Sequence, residues 1–156
     1  MESGEQGGAT FTVSLPRAGG PTPELPAGSD AAVPRGSGER LLIVEDEAAA
    51  REALLQILSA LGYGVAAAGS GTEAGALPAE APFDALLTDV VLPDVSGLDL
   101  ARELTRRWPK MRVILMSGYS DDAAIRLAVP AGEVRFLQKP FGIDLLAREL
   151  RAALEE

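Results

Sequence analysis

Side chains suited to phosphoryl chemistry stand at the ends of four short apolar runs. Two carboxylates follow "LLIV", a third ends "ALLTD", a hydroxyl ends "RVILMS" and an ammonium ends "FLQK"; these groups are Glu45, Asp46, Asp89, Ser117 and Lys139. Carboxylates gathered at one place repel one another unless a cation lies between them, and Mg²⁺ prefers such oxygen ligands. A carboxylate can attack phosphorus to give an acyl phosphate, and an ammonium and a hydroxyl can hold the phosphoryl oxygens. The set is chemically complete for accepting a phosphoryl group.

Each of these residues also has an ordinary structural explanation. Asp46 is a suitable N-cap for a following helix, Asp89 and Asp94 are common turn residues, and Lys139 before Pro140 can be a surface lysine. Taken one at a time, these explanations are the better ones. The functional interpretation therefore depends on whether the fold brings the five groups together.

Strands and helices alternate from Glu39 to the C-terminus. The predicted strands are 40–45, 63–69, 83–89, 112–117 and 133–139, apolar runs of the length expected for buried strands. The predicted helices are 47–62, one from Ser70 to Pro78, one from Ser96, one between Ser120 and Pro130, and 141–154. Five strand–helix repeats predict an α/β fold with an open, doubly wound parallel sheet. In such sheets ligands bind beyond the carboxyl ends of the strands, where the five polar groups stand.

Composition excludes several classes of function. The chain has 156 residues, enough for one domain of ordinary size, and a formal net charge of -9 that disfavours binding to nucleic acid. It contains no cysteine and no histidine, which excludes disulfides, a Ser-His-Asp triad and a phospho-histidine on this chain. No apolar run approaches the roughly 20 residues that span a bilayer, and the N-terminus lacks a signal-peptide pattern. We therefore expect a cytoplasmic protein without a membrane segment.

The ordered motifs "LLIVEDE", "LLTDVVLPDVSGLDL", "VILMSGYS" and "FLQKPF" resemble a receiver (response-regulator) domain of two-component signalling, over residues 40–154. "LMSGYS" with "FLQKPF" is most similar to receivers attached to hybrid sensor histidine kinases. The resemblance implies a flavodoxin-like fold, (βα)5, with a five-stranded parallel sheet in the order 2-1-3-4-5. The short segment 120–136, interrupted by Pro130, departs from the usual pattern of the fourth helix.

The resemblance also implies a role for each matching residue. Asp89 would be the phosphoacceptor, and Lys139 would bind the phosphoryl group. Asp46 would be a direct Mg²⁺ ligand, Glu45 would act mainly through water, and Asp89 and the backbone carbonyl of Val91 would be further ligands. The switch residues would be the Ser117 hydroxyl, which turns toward the phosphoryl group, and the Phe136 ring, which swings inward.

The N-terminal part of the chain has a different character. Residues 18–38 are rich in proline and glycine and are predicted to be a flexible linker between the N-terminal segment and a receiver domain at 39–156. In residues 1–17, Phe11, Val13 and Leu15 alternate with polar residues as in a strand. "SGEQGGATFTVSLPR" resembles the last glycine-rich loop and strand of a histidine-kinase ATP-binding domain, so we interpret residues 1–17 as a remnant of one, without an ATP site.

The leading hypothesis is a phosphorelay module that is not an enzyme. Asp89 would accept a phosphoryl group, with Mg²⁺, from a histidine kinase or a histidine phosphotransfer protein, and a homodimer is a possible further assembly. The first alternative is a haloacid-dehalogenase-type phosphatase, which normally has a second aspartate where this chain has Val91. The second is a pseudo-receiver that works without phosphorylation, against which the complete set of site residues argues.

Overall fold

The computed structural model describes residues 2–3, 9–10, 33–80, 82–118 and 134–155, and the chain divides into two units, Met1–Ala31 and Ala32–Glu156. In the first unit, Glu2–Ser3 pairs with Ala9–Thr10 as a short antiparallel ladder. The predicted strand alternation at 11–15 and the predicted linker from 18 to 32 lie outside the described residues, as does the predicted helix between Ser120 and Pro130.

The second unit is built on a five-stranded parallel sheet. Its strands are β1 (Arg40–Val44), β2 (Gly64–Ala68), β3 (Ala85–Asp89), β4 (Arg112–Ser117) and β5 (Arg135–Gln138). They lie in the order β2-β1-β3-β4-β5, and every neighbouring pair is parallel. This arrangement confirms the predicted fold class and strand order, and it places the carboxyl ends of all five strands on one rim.

The described helices cover both faces of the sheet. Those described are α1 (Ala48–Ala60), α2 (Gly71–Gly75), α3 (Gly97–Arg107) and α4 (Ile143–Leu154). Gly62 follows α1 with a φ of 94°, a conformation that glycine adopts without steric cost. Ser70 accepts a hydrogen bond from the backbone N–H of Glu73 at the start of α2, which caps that end of the helix. None of the described helices is long and apolar enough to cross a membrane.

The sheet separates two apolar clusters, and alternate residues of each strand enter opposite clusters. Leu41 and Ile43 of β1 pack with α1 and α4, with Leu58 and Leu150 at the centre of that cluster. Leu42 and Val44 pack on the other face with α3. Strands buried on both faces have continuous apolar sequences rather than alternating ones, which explains runs such as "LLIV". The few aromatic side chains leave aliphatic packing to form most of the core.

A segment before β1, residues 33–38, belongs to the same unit as the sheet. Val33 packs against the cluster on the α1 and α4 face, and the N–H groups of Gly36 and Gly38 donate to the carbonyls of Leu61 and Gly62. Gly36 lies so close to the ring of Tyr63 that a Cβ there would be 2.6 Å from Cδ1. The sequence predicted a domain start at Glu39. In the structure, residues 33–38 of the predicted linker fall in the same unit as the sheet, and the N–H groups of Gly36 and Gly38 bond to the turn after α1.

We predict that these contacts stabilise the receiver unit. A chain beginning at Glu39 should unfold with a free energy about 2 kcal/mol lower than a chain beginning at Ala32, since the two backbone hydrogen bonds of Gly36 and Gly38 contribute about 1 kcal/mol each. Urea denaturation followed by circular dichroism measures the difference. Equal free energies of unfolding for the two chains would contradict the prediction.

Candidate functional site

The rim formed by the carboxyl ends of the strands brings the sequence-predicted residues together. Glu45 and Asp46 follow β1, Asp89 ends β3, Ser117 ends β4 and Lys139 follows β5. The strands are held in register at this rim, because the N–H of Lys139 donates to the carbonyl of Ser117 over 2.8 Å. β3 and β4 lie side by side between β1 and β5. The sheet order therefore gathers side chains that are distant in the sequence.

The ammonium of Lys139 joins two of the carboxylates directly. Its Nζ lies 2.7 Å from Oε2 of Glu45 and 2.6 Å from Oδ1 of Asp89. The Glu45 side chain is 2% exposed and that of Asp89 is 16% exposed, so both charges lie where water screens them poorly. A cation that donates to both carboxylates offsets the desolvation and the repulsion between them.

The pKa values of these groups reflect the competition between burial and pairing. Burial raises the pKa of Asp89 from 3.8 to about 6, against the lowering effect of Lys139, and the nearby Glu45 adds to the rise. Burial lowers the pKa of Lys139, but its bonds to Asp89 and Glu45 outweigh burial and hold that pKa above its ordinary value. The ionised form of Asp89 is costly in this site and would gain from a further cation.

The acidic cluster has the composition and spacing of a divalent cation site. One carboxylate oxygen each from Glu45, Asp46 and Asp89 lies within 4.8 Å of the others. Oxygens on opposite sides of one Mg²⁺ are about 4.2 Å apart, given bonds of about 2.1 Å. The cluster therefore fits the ion with a small closure, or with one carboxylate acting through water. Glu45 is suited to the water-mediated position, because its oxygens already accept from Lys139 Nζ and from the N–H of Glu47.

The other three predicted site residues, Ser117, Val91 and Phe136, are not members of the acidic cluster or its lysine. Ser117 is 2% exposed and lies on the strand between Asp89 and Lys139. Val91 forms an isolated bridge with Ser96, and its side chain is 64% exposed. Phe136 lies within β5, partly buried against the cluster on the α3 face.

Asp94 is a structural residue of the loop after β3. Its carboxylate accepts hydrogen bonds from the N–H of Gly71 and from the N–H and hydroxyl of Thr72, which tie the loop to the start of α2. The hydrogen bonds of Thr72, then that of Gly71, lower the pKa of Asp94 to about 2. The sequence predicted a turn residue at Asp94, and the structure adds its hydrogen-bond partners at the start of α2.

Asp46 is not the cap of α1. The N-cap position belongs to Glu47, whose side chain makes no capping hydrogen bond. A residue that sequence reasoning missed lies beneath this loop: Arg51 donates from one guanidinium nitrogen to the carbonyls of Glu45 and Asp46. The only signal for Arg51 is a basic residue in the first turns of α1, a pattern equally typical of a solvated helix face.

The comparisons with known proteins agree with this geometry. The family model of the response regulator receiver domain matches residues 41–151, so the chain belongs to the response regulator receiver family, whose members serve phosphorelay signalling. A receiver domain is distinct from the catalytic domain of a kinase.

Known relatives contain similar domains within longer chains. The sensor kinase CckA of Brucella abortus is 37% identical over 118 residues, covering 74% of this chain and 12% of that kinase. The transcriptional regulatory protein KdpE of Mycobacterium tuberculosis is 37% identical over 114 residues, covering 73% of this chain and 50% of that protein. The chain thus matches half or less of each of these relatives.

Two solved structures show the same architecture. The receiver domain protein from Clostridium thermocellum has a TM-score of 0.69 and 28% identity, with 75% of this chain and 94% of that one covered. The CheY-like receiver domain protein from Methanospirillum hungatei has a TM-score of 0.69 and 29% identity, over 76% of this chain and 95% of that one.

We predict that Gly97 is required for the loop that follows Asp89. A Cβ on Gly97 would lie 1.8 Å from the carbonyl oxygen of Asp89, and backbone atoms cannot move aside as a flexible side chain can. Gly97→Ala should therefore lower the free energy of unfolding by about 2–3 kcal/mol, measured by urea denaturation. Gly64→Ala is the matched control, since its Cβ would meet its nearest neighbour at 3.7 Å. Equal stabilities of the two variants would contradict the prediction.

We also predict that Asp89 makes the protein less stable as the pH rises. Its pKa is raised on folding from 3.8 to about 6, so the folded state holds a proton that the unfolded state releases, and this stabilisation is lost between pH 4 and 6. Asp89→Asn removes the effect. Its stability relative to wild type should rise over that interval, by at most about 3 kcal/mol. Urea denaturation at several pH values without divalent cations measures it, and a difference independent of pH would exclude the mechanism.

Proposed function

We propose that this receiver domain accepts a phosphoryl group on Asp89 from a phospho-histidine on another protein, with Mg²⁺ as cofactor. The observation that carries the proposal is the convergence of Lys139 on Asp89 and Glu45, with the acidic cluster beside it. A lysine bonded to the attacking carboxylate is already placed for a phosphoryl group arriving at that carboxylate. The membership in the receiver family supports the same reaction.

The proposed reaction forms one bond and breaks one. A carboxylate oxygen of Asp89 attacks phosphorus as the P–N bond to the donor histidine breaks, and the product is an acyl phosphate on Asp89. Phosphoryl transfer depends mainly on positioning and on neutralisation of charge. Lys139 would donate to a phosphoryl oxygen in place of its present bond to Asp89 Oδ1.

Mg²⁺ would neutralise charge on the phosphoryl oxygens when bound. Asp46 and Asp89 are the proposed direct ligands, with the backbone carbonyl of Val91, and Glu45 would act through water. The support for this assignment is the chemistry of the donor set, which consists of hard oxygens. Glu45 is already bonded to Lys139 and to the N–H of Glu47, whereas Asp46 is exposed.

Ser117 and Phe136 are the proposed switch. Ser117 ends β4, the strand next to β3, which ends at Asp89, and its hydroxyl would respond to a new charge at Asp89. Phe136 follows on β5, pairing with Leu115 of the same strand as Ser117. Its ring carries no hydroxyl, so it would report the switch by packing alone. The output is then a change of protein-interaction surface.

The alternatives are less well supported. A haloacid-dehalogenase-type phosphatase needs a general acid two residues after the nucleophile. This chain has Val91 there, with an apolar and exposed side chain. A pseudo-receiver would not need the complete set of Glu45, Asp46, Asp89, Ser117 and Lys139. We therefore propose that the chain is not an enzyme with turnover and that its partner is a histidine kinase or a phosphotransfer protein. The predicted cytoplasmic location, where ATP supplies such donors, belongs to this proposal.

The intact mass of the protein after incubation with acetyl phosphate tests the proposal. With Mg²⁺, the wild-type chain should gain one phosphoryl group. Asp89→Asn should gain none, because an amide is not a nucleophile toward phosphorus. The control is Asp99→Asn, which removes a surface carboxylate paired with Arg102 and should be phosphorylated like wild type.

Two outcomes would refute the proposed reaction. One is an adduct on Asp89→Asn equal to that on wild type, which would place the modification elsewhere. The other is a folded wild-type chain that takes up no phosphoryl group with Mg²⁺, which would leave a pseudo-receiver. Omission of Mg²⁺ should abolish the wild-type adduct.

A further inference from the structure

The loop that carries the acidic pair Glu45–Asp46 is not fixed by a helix-capping side chain. Residues 45–47 connect β1 to α1, and the N-cap residue Glu47 makes no side-chain capping bond. The N–H of Glu47 donates instead to Oε1 of Glu45 over 3.3 Å, a long contact for a hydrogen bond. Within the described part of the chain, no hydrogen bond fixes the carboxylate of Asp46. The orientation of Asp46 therefore depends on its backbone.

Arg51 supplies that fixation from within α1. Its guanidinium nitrogen lies 2.7 Å from the carbonyl oxygen of Glu45 and 3.2 Å from that of Asp46. Because peptide groups are planar, holding these two carbonyls fixes the peptide planes on both sides of Asp46. The direction of its Cα–Cβ bond, and so the reach of its carboxylate toward Asp89, follows from those two planes.

We propose that Arg51 is a positioning residue that orients the acidic pair Glu45–Asp46 for the divalent cation. This inference rests on the proposed function, since it assumes that the cluster binds Mg²⁺. Arg51 bonds to carbonyl oxygens and leaves the carboxylates to the cation. Its charge also offsets the repulsion among the three carboxylates. Groups that orient metal ligands from behind commonly change metal affinity by 10- to 100-fold when they are removed.

The surroundings of Arg51 are shaped to hold its guanidinium at this place. It lies against Gly69, directly after β2, where a Cβ would be 3.3 Å from the guanidinium nitrogen. The carboxylate of Glu73 accepts from the N–H of Gly69 over 2.6 Å and lies beside the same point. The guanidinium thus occupies the space between the loops that follow β1 and β2. A lysine retains the charge, but its ammonium is a strongly hydrated point charge on a flexible stem and would hold the two carbonyls less firmly.

Titration of the full-length chain with MgCl₂ by isothermal calorimetry tests the proposal. Arg51→Gln should raise the dissociation constant for Mg²⁺ roughly tenfold, and Arg51→Lys should raise it less. The matched control is Arg107→Gln. Arg107 also donates to two backbone carbonyls, those of Gly75 and Leu77, but at the end of α2 and not at the site. This control should bind Mg²⁺ within twofold of wild type, even if its urea midpoint falls.

The outcomes separate this inference from the proposed function. If wild type binds Mg²⁺ and Arg51→Gln binds it as tightly as Arg107→Gln, only the positioning role is overturned. If wild type itself binds no Mg²⁺, the proposed function fails and the positioning role fails with it. A loss of affinity in Arg51→Gln that Arg51→Lys partly restores, with both variants folded by circular dichroism, supports the role. A loss that merely follows stability across all three variants overturns it.

Discussion

The bond of one ammonium to a buried carboxylate and a half-buried one is the interaction on which the site depends. Lys139 reaches Asp89 and Glu45 together, and without it two poorly screened negative charges would stand side by side. Such a pair is tolerated only when a partner satisfies both members. The parallel sheet makes this possible, because it delivers the ends of β1, β3 and β5 to the same rim.

The negative charge of the acidic cluster is only partly neutralised. Lys139 offsets part of the negative charge, yet burial keeps the pKa of Asp89 near 6, well above that of a solvated carboxylate. Binding of a cation beside Asp89 would stabilise the ionised form of this carboxylate.

Backbone contacts behind the rim keep the reactive side chains in place. Gly97 allows the start of α3 to approach the carbonyl of Asp89. Asp94 ties the following loop to α2, and Arg51 holds the carbonyls of the acidic pair. Each contact acts on a loop that directly follows a strand. The precision of the site thus comes from groups that do not themselves take part in the proposed reaction.

The sequence by itself determined the elements and the members of the site. Continuous apolar runs are characteristic of strands buried on both faces, and their spacing with amphipathic segments left a parallel α/β sheet as the consistent arrangement. A parallel sheet places all strand ends on one rim, so the sequence alone predicted that Glu45, Asp46, Asp89, Ser117 and Lys139 stand at the same edge of the sheet.

Only the tertiary structure decided how these residues are supported. Three examples are contacts between separate segments. They are the attachment of residues 33–38 to the turn after α1, the partners of Asp94 on α2 and the bonds of Arg51 to the carbonyls of Glu45 and Asp46. No local pattern encodes them, because an arginine on a helix or a glycine in a proline-rich stretch has the same sequence signature whether or not it meets a partner. Periodicity reports which face a residue occupies, whereas the atom that it contacts depends on how the folded elements pack.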